Sequence, residues 1–151
     1  MAYTIDEEIK SLALFSELTP DEWKEIFPLL HRAWLIEGEQ LAQEGEMAHT
    51  LDILLKGHLM IHFRDGRAIT IERKGDIIGW SSVISPFQYT ANVTSLTEGE
   101  VLALPGGKFL ELLQSNAAIG EKLLKKINET IAQRRSIRKK SDELKEAASV
   151  Q

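Results

Sequence analysis

The sequence has no cysteine among its 151 residues. That absence excludes disulfides, thiolate-ligated zinc, iron–sulfur clusters and a thiol nucleophile together. No apolar run approaches the roughly 18 residues of a membrane span. The N-terminus, Met1-Ala2-Tyr3-Thr4-Ile5-Asp6-Glu7-Glu8, is the reverse of a basic, then apolar, signal peptide, so a cytoplasmic protein is expected. What is present, 43% hydrophobic and 27% charged residues, suits one globular domain. A chain of this length buries roughly 70% of the surface its unfolded form exposes and needs no covalent staple.

The net charge of −5 is unevenly spread. Residues 1–120 hold 9 Lys/Arg against 18 Asp/Glu, whereas residues 121–151 hold 9 against 5. The acidic body is a poor nucleic-acid surface, because phosphate affinity comes largely from clustered cations that release counterions. The basic tail is either a solvated helix face or a contact for nucleic acid or acidic lipid.

Three stretches follow from periodicity. Residues 1–32 form an N-terminal helical segment, with helix expected from Ile5 to His31. In it, Thr19-Pro20-Asp21-Glu22 supplies a capping Thr, a first-turn Pro and a Glu three residues on. Trp23, Ile26, Phe27 and Leu30 then share one face, and Pro28 bends or ends the helix. Residues 33–104 carry short β-type runs: 34–36, 51–55, 58–63, 68–72, 89–94 and 100–104. Glycines between them mark the turns, and the stretch is long enough for eight short strands in a small antiparallel sandwich or barrel. Residues 105–151 return to helix, first through Phe109, Leu110, Leu112 and Leu113. A long helix then opens at Asn116 and carries Ile119, Leu123, Leu124, Ile127 and Ile131. In heptad spacing from Leu123 come Ile127, Thr130, Arg134, Ile137, Ser141, Leu144 and Ala148. That seam, apolar first and mixed later, predicts a homodimer through the 116–144 helix, the alternative being packing on the chain's own sheet.

The order of turns carries a resemblance. Leu14-Phe15 precede the Thr19 cap. They are followed by Glu37-Gly38-Glu39, Glu44-Gly45-Glu46, Leu51 to Gly57 with a strand after it, and Lys74-Gly75-Asp76-Ile77-Ile78-Gly79. In order and spacing these resemble the cyclic-nucleotide-binding domain of the Crp/Fnr effector type, over about residues 12–140. The resemblance implies a mainly β fold, a double-stranded, jelly-roll-like β-helix with N-terminal helices and a long C-terminal helix. It also implies a ligand site in a phosphate-binding cassette, here residues 79–93. Candidate ligand-binding residues are therefore Gly79, Trp80, Ser81, Ser82, Val83, Tyr89, Thr90 and Ala91.

Two residues depart from the family's cassette. Trp80 stands where its ribose-binding Glu belongs, and Tyr89 stands where its phosphate-binding Arg belongs. A buried charge left without its ionic partner costs about 3–5 kcal/mol. One neutral hydrogen bond from Tyr returns only about 0.5–1.5 kcal/mol. Tight cAMP binding is therefore not expected. The amides of Ser81, Ser82 and Val83 are expected to point at an anion still. By ungapped counting, Arg134 and Arg135 resemble the positions from which family members contact the nucleobase, and either supplies a compensating charge if it faces the pocket. The cassette is also similar to that of stand-alone bacterial domains sharing Gly-Trp-Ser-small and Tyr-Thr-Ala, which implies a coherent variant site.

Other chemistry is weaker. His58 and His62, on one strand pattern, stand about 13 Å apart at the usual rise and hold no common metal; a haem ligand from either competes with plain surface histidine. His31 and His49 have no visible partner. Gly106-Gly107-Lys108 lacks the earlier Gly and the Ser/Thr of a phosphate loop. Gly79-Trp80-Ser81-Ser82-Val83 lacks the second Gly of a nucleophile elbow. The Glu-Gly-Glu tripeptides read as turns. No enzyme, no metal and no definite cofactor are expected. A cyclic nucleotide or other small anion is the ligand class. With no helix-turn-helix in the sequence, the expected role is a regulatory sensor that signals to a separate partner protein through its C-terminal helix. The competing role is a structural interaction protein whose pocket is filled by Trp80 and Tyr89.

Overall fold

The structure is a computed structural model that describes residues 7–149, with side chains described as far as residue 136. A 3-10 turn at Ala13–Phe15 and helix α1 (Pro20–Ile26) precede eight strands. These are β1 (His31–Leu35), β2 (Gln40–Ala42), β3 (Thr50–Lys56), β4 (Leu59–His62), β5 (Ala68–Ile71), β6 (Ile77–Ile78), β7 (Asn92–Ser95) and β8 (Gly99–Pro105). Helices α2 (Gly106–Ser115) and α3 (Ala117–Ser149) follow. The strands form two antiparallel four-stranded sheets, ordered β1-β8-β3-β6 and β2-β7-β4-β5. This is the jelly-roll with flanking helices expected from the sequence. Among the described residues, no helix is long and apolar enough to cross a membrane.

Each face of the first sheet has its own apolar core. Strand alternation sends Leu51, Ile53 and Leu55 of β3 toward the helices, where they meet Phe15, Phe109 and Ile119. Leu54 points the other way, between the sheets, with Leu35, Leu59, Ile71 and Val101. The helical layer is pinned to the first sheet by segments on either side of the strands, from Ile9 to Ile26 and from Phe109 to Ile127.

The N-terminal segment is less helical than its pattern predicts. The capping box is present, with Glu22 N–H donating to Thr19 Oγ1 and Thr19 N–H donating to Glu22 Oε1 at 2.8 Å. Helix α1 is only seven residues long and tightens into a 3-10 turn at Phe27–Leu29 around Pro28; β1 already begins at His31. The tighter winding turns Phe27 partly out of the predicted stripe, leaving it 42% exposed with its ring centre 5.4 Å from that of Trp23.

Helix α3 turns the apolar part of the expected seam onto the chain's own core. Asn116 caps it, its side-chain oxygen accepting from Ile119 N–H at 3.1 Å. Ile119, Leu123 and Ile127 are wholly buried against the chain's own core. Gly120 lets α2 and α3 approach, since a Cβ there would lie 2.5 Å from the Leu113 carbonyl oxygen. Lys122 pairs with Glu22 at 2.6 Å, Lys125 and Lys126 approach Glu17, and Asn116 donates to Glu25. The apolar half of the predicted 116–144 seam therefore packs internally, and three cations of the basic tail are paired there, two of them sharing Glu17. The seam positions Ile137, Ser141, Leu144 and Ala148 lie outside the residues whose side chains are described.

Candidate functional site

The cassette-like segment begins where β6 ends. Gly79 adopts a left-handed conformation, φ 80°, and a Cβ there would lie 2.4 Å from the Thr50 carbonyl oxygen. Only glycine lets the chain turn this close to β3. A 3-10 turn at Trp80–Ser82 follows, then a loop that returns through Tyr89 into β7. Facing this segment across a cavity of about 300 Å³ is α3, which contributes Ile131, Arg134 and Arg135.

The predicted site residues separate into two groups. Gly79, Trp80, Ser81, Tyr89, Thr90 and Ala91 line the cavity with Arg134 and Arg135, whereas Ser82 and Val83 do not. Val83 is buried in the helix-side core. The expectation that three successive amides face an anion is corrected by the turn itself. Ser82 N–H donates to the Gly79 carbonyl at 3.0 Å and Val83 N–H to the Trp80 carbonyl at 3.0 Å, and the Ser82 hydroxyl also donates to Gly79 at 2.8 Å. A 3-10 turn consumes the donors that a longer helix start would leave free.

Tyr89 is equally occupied. Its hydroxyl oxygen accepts from Thr50 N–H and donates to the Thr50 carbonyl, both at 3.3 Å. Burial pushes its ionisation above the ordinary phenol value, so it stays neutral. Trp80 and Tyr89 line the cavity and leave it open; a self-filled pocket was the expectation of the competing structural role.

The electrostatics of the cavity come from α3. Arg134 is only 8% exposed, and its guanidinium lies 4.8 Å from the centre of the Trp80 ring. No hydrogen bond or carboxylate pairs with it among the described residues; Asp76 acts on it only at longer range. Burial lowers its pKa to about 10, which leaves it fully charged at neutral pH. Arg135 is exposed at the rim. None of the lining residues is acidic.

One group escaped the sequence reading. Asp52, in the middle of β3, is 8% exposed and has no hydrogen-bond or ion-pair partner among the described residues. It pairs across the sheet with Ile78, which lines the cavity, and its charge acts on Tyr89. Burial pushes its carboxyl up to about 7. The signal available was a lone Asp at an inward position of Thr50-Leu51-Asp52-Ile53-Leu54-Leu55.

The remaining candidates are placed elsewhere. His58 lies just before β4 and sits 3.4 Å from Glu72, while His62 ends the strand; both are exposed. Among the described residues no three His, Asp or Glu side chains are grouped to hold a metal. Gly106 packs on the cassette: a Cβ there would lie 2.8 Å from that of Ser82.

Comparison with known proteins agrees with this fold. A protein-family model described as "Cyclic nucleotide-binding domain" matches residues 34–116. No curated protein matches the sequence. Among solved structures, a candidate cyclic nucleotide-binding protein from Geobacter metallireducens is 23% identical with a TM-score of 0.78, covering 85% of this chain and 96% of its own. The sensor domain of the transcriptional regulator DNR from Pseudomonas aeruginosa is 20% identical with a TM-score of 0.67, covering 89% and 93%. The regulatory subunit of a cAMP-independent protein kinase A from Trypanosoma brucei is 19% identical with a TM-score of 0.75; 93% of this chain covers 49% of that one, about half its length. With the family model matching more than half of its length, the chain belongs to the cyclic nucleotide-binding domain family.

Proposed function

We propose that this chain is a regulatory sensor module that binds a small anion in the roll, with Arg134 as the countercharge, and that cAMP is not its high-affinity ligand. The observation that carries this reading is a buried guanidinium, 8% exposed, that lines the cavity and has no acid partner among the described residues. Burying an uncompensated charge is expensive, and a bound anion removes that cost. Tyr89, tied to the Thr50 backbone, offers the cassette side no cation in exchange. The family's role is ligand binding and regulation, and no nucleophile, base and orienting group converge here into a catalytic set.

The signal then runs through α3. A ligand that engages Arg134 acts on the same helix that carries Ile119, Leu123 and Ile127 into the core, so occupancy changes how that helix is held. Its continuation beyond residue 136 is the element offered to a separate partner protein or, by a face other than the Leu123–Ile127 seam, to a second copy.

The test is isothermal titration of the wild type and Arg134→Gln against cAMP, cGMP and a panel of small organic anions. At least one anion is expected to bind the wild type more tightly than cAMP and to weaken in the variant. No heat from any of them at millimolar concentration would remove the sensing role.

A further inference from the structure

We infer that the ligand is an amphipathic organic anion, a compact aryl or alkyl body with one carboxylate, whose charge lies against Arg134 on α3 and whose body lies inside the roll. This rests on the reading that the cavity takes an anion, and adds the ligand's class and orientation. A phosphate gripped by the cassette, as the family resemblance implies, has the opposite polarity.

The two sides of the cavity differ in what they tolerate. On the Tyr89 side the phenol is spent on Thr50, and the unpartnered Asp52 lies on the inner face of β3 beside Ile78. An anion placed there meets a carboxyl that is about half ionised near neutral pH. On the α3 side stand Arg134 and Arg135, with no acidic residue lining the space between.

Arg134 is also prepared geometrically. Its Cζ lies 4.8 Å over the Trp80 ring centre, and its N–H groups have no acceptor among the described residues. A guanidinium presents donors in a planar fork that matches both oxygens of a carboxylate. Buried donors without protein acceptors are costly, so the guanidinium favours a ligand that accepts from it.

The body of the ligand follows from the walls. Ala42, Ile61, Phe63, Ile78 and Val93 form an apolar part of a lining that also holds the hydroxyls of Ser81, Ser85 and Thr90, and none of the five offers a side-chain donor or acceptor. Ribose hydroxyls seated against these five lose their water without replacement, whereas an aryl ring or short alkyl chain loses nothing. A cavity of about 300 Å³ lies at the small end of ligand pockets, which favours a compact molecule.

The probes are phenylacetate and hexanoate, the neutral isostere phenylacetamide, cAMP and inorganic phosphate, titrated calorimetrically into the intact chain. At least one carboxylate is expected to bind, at least about tenfold more tightly than phenylacetamide and than cAMP. Arg134→Gln weakens the carboxylate by roughly 10- to 100-fold while leaving phenylacetamide unchanged. Arg134→Lys, which keeps the charge and packing but not the fork, falls between. Trp80 fluorescence shifts on carboxylate binding and does not shift in Trp80→Phe. If cAMP or phosphate binds through Arg134 and the carboxylates do not, the assigned class is overturned while anion binding stands. If a carboxylate binds equally to the arginine variants and more tightly to Tyr89→Arg, the orientation is overturned. If none of the probes binds, both readings fall.

Discussion

The two cores of this small molecule are built to different standards. The one between the first sheet and the helices holds Phe15, Ile26, Phe109, Ile119, Leu123 and Ile127, all essentially without exposure. The one between the sheets is interrupted: it contains an unpartnered carboxyl at Asp52 and opens into a cavity of about 300 Å³. Close packing in the first secures the fold, while the second gives up dispersion and desolvation energy to keep space for a ligand. Arg134 stands where the two meet, on a helix anchored in the closed core with its charge in the open one.

The largest expected effect tests the closed core. Phe109→Ala should cost about 3–5 kcal/mol in urea unfolding; a loss under about 1 kcal/mol would mean that this core is not the stabilising one. The open core should respond with the opposite sign. Asp52 binds its proton more tightly when folded, about 7 against an unfolded value of 3.8, so the folded state holds more protons than the unfolded one between those values. Stability contributed by this group is therefore fully present below the unfolded value and is lost as pH rises toward 7, by at most about 4 kcal/mol. Asp52→Asn should flatten that slope and unfold at higher urea than wild type at pH 8; an unchanged profile would remove the buried-carboxyl account.

Two smaller effects probe the joints between the cores. Gly79→Ala forces a side chain into a left-handed position against the Thr50 carbonyl, and should cost about 1–3 kcal/mol, measured by thermal unfolding with ligand titration beside it. If the alanine variant is as stable as wild type, the cassette is not held to β3 by this turn. Thr19→Ala should cost about 1 kcal/mol through loss of the Glu22 amide cap, and a neutral result would place the N-terminal anchor in packing alone.

Legibility in the sequence follows the same division. The short strands between two helical stretches, the Thr19 cap and the Asn116 helix start were readable because glycines, caps and apolar spacing act locally; the jelly-roll order is what the family resemblance implied. Strands β2 (Gln40–Ala42) and β6 (Ile77–Ile78) are too short to show a period of their own. The seam of α3 was ambiguous because Leu123 and Ile127 suit a partner helix and a sheet equally; only tertiary packing decides between them. The substitutions at Trp80 and Tyr89 were visible, but not their consequences. That Tyr89 turns to Thr50, that Ser82 and Val83 spend their amides within the turn, and that Asp52 pairs with the cavity-lining Ile78 are facts of three-dimensional pairing.

The most direct test of the account is a crystal structure of the chain with phenylacetate or another bound organic anion. The account predicts anionic oxygens within hydrogen-bond distance of the Arg134 guanidinium and the rest of the molecule among Ile61, Ile78 and Val93. An anion lodged between Ser82, Val83 and Tyr89, with Arg134 still stacked on Trp80 and touching nothing of the ligand, would contradict it.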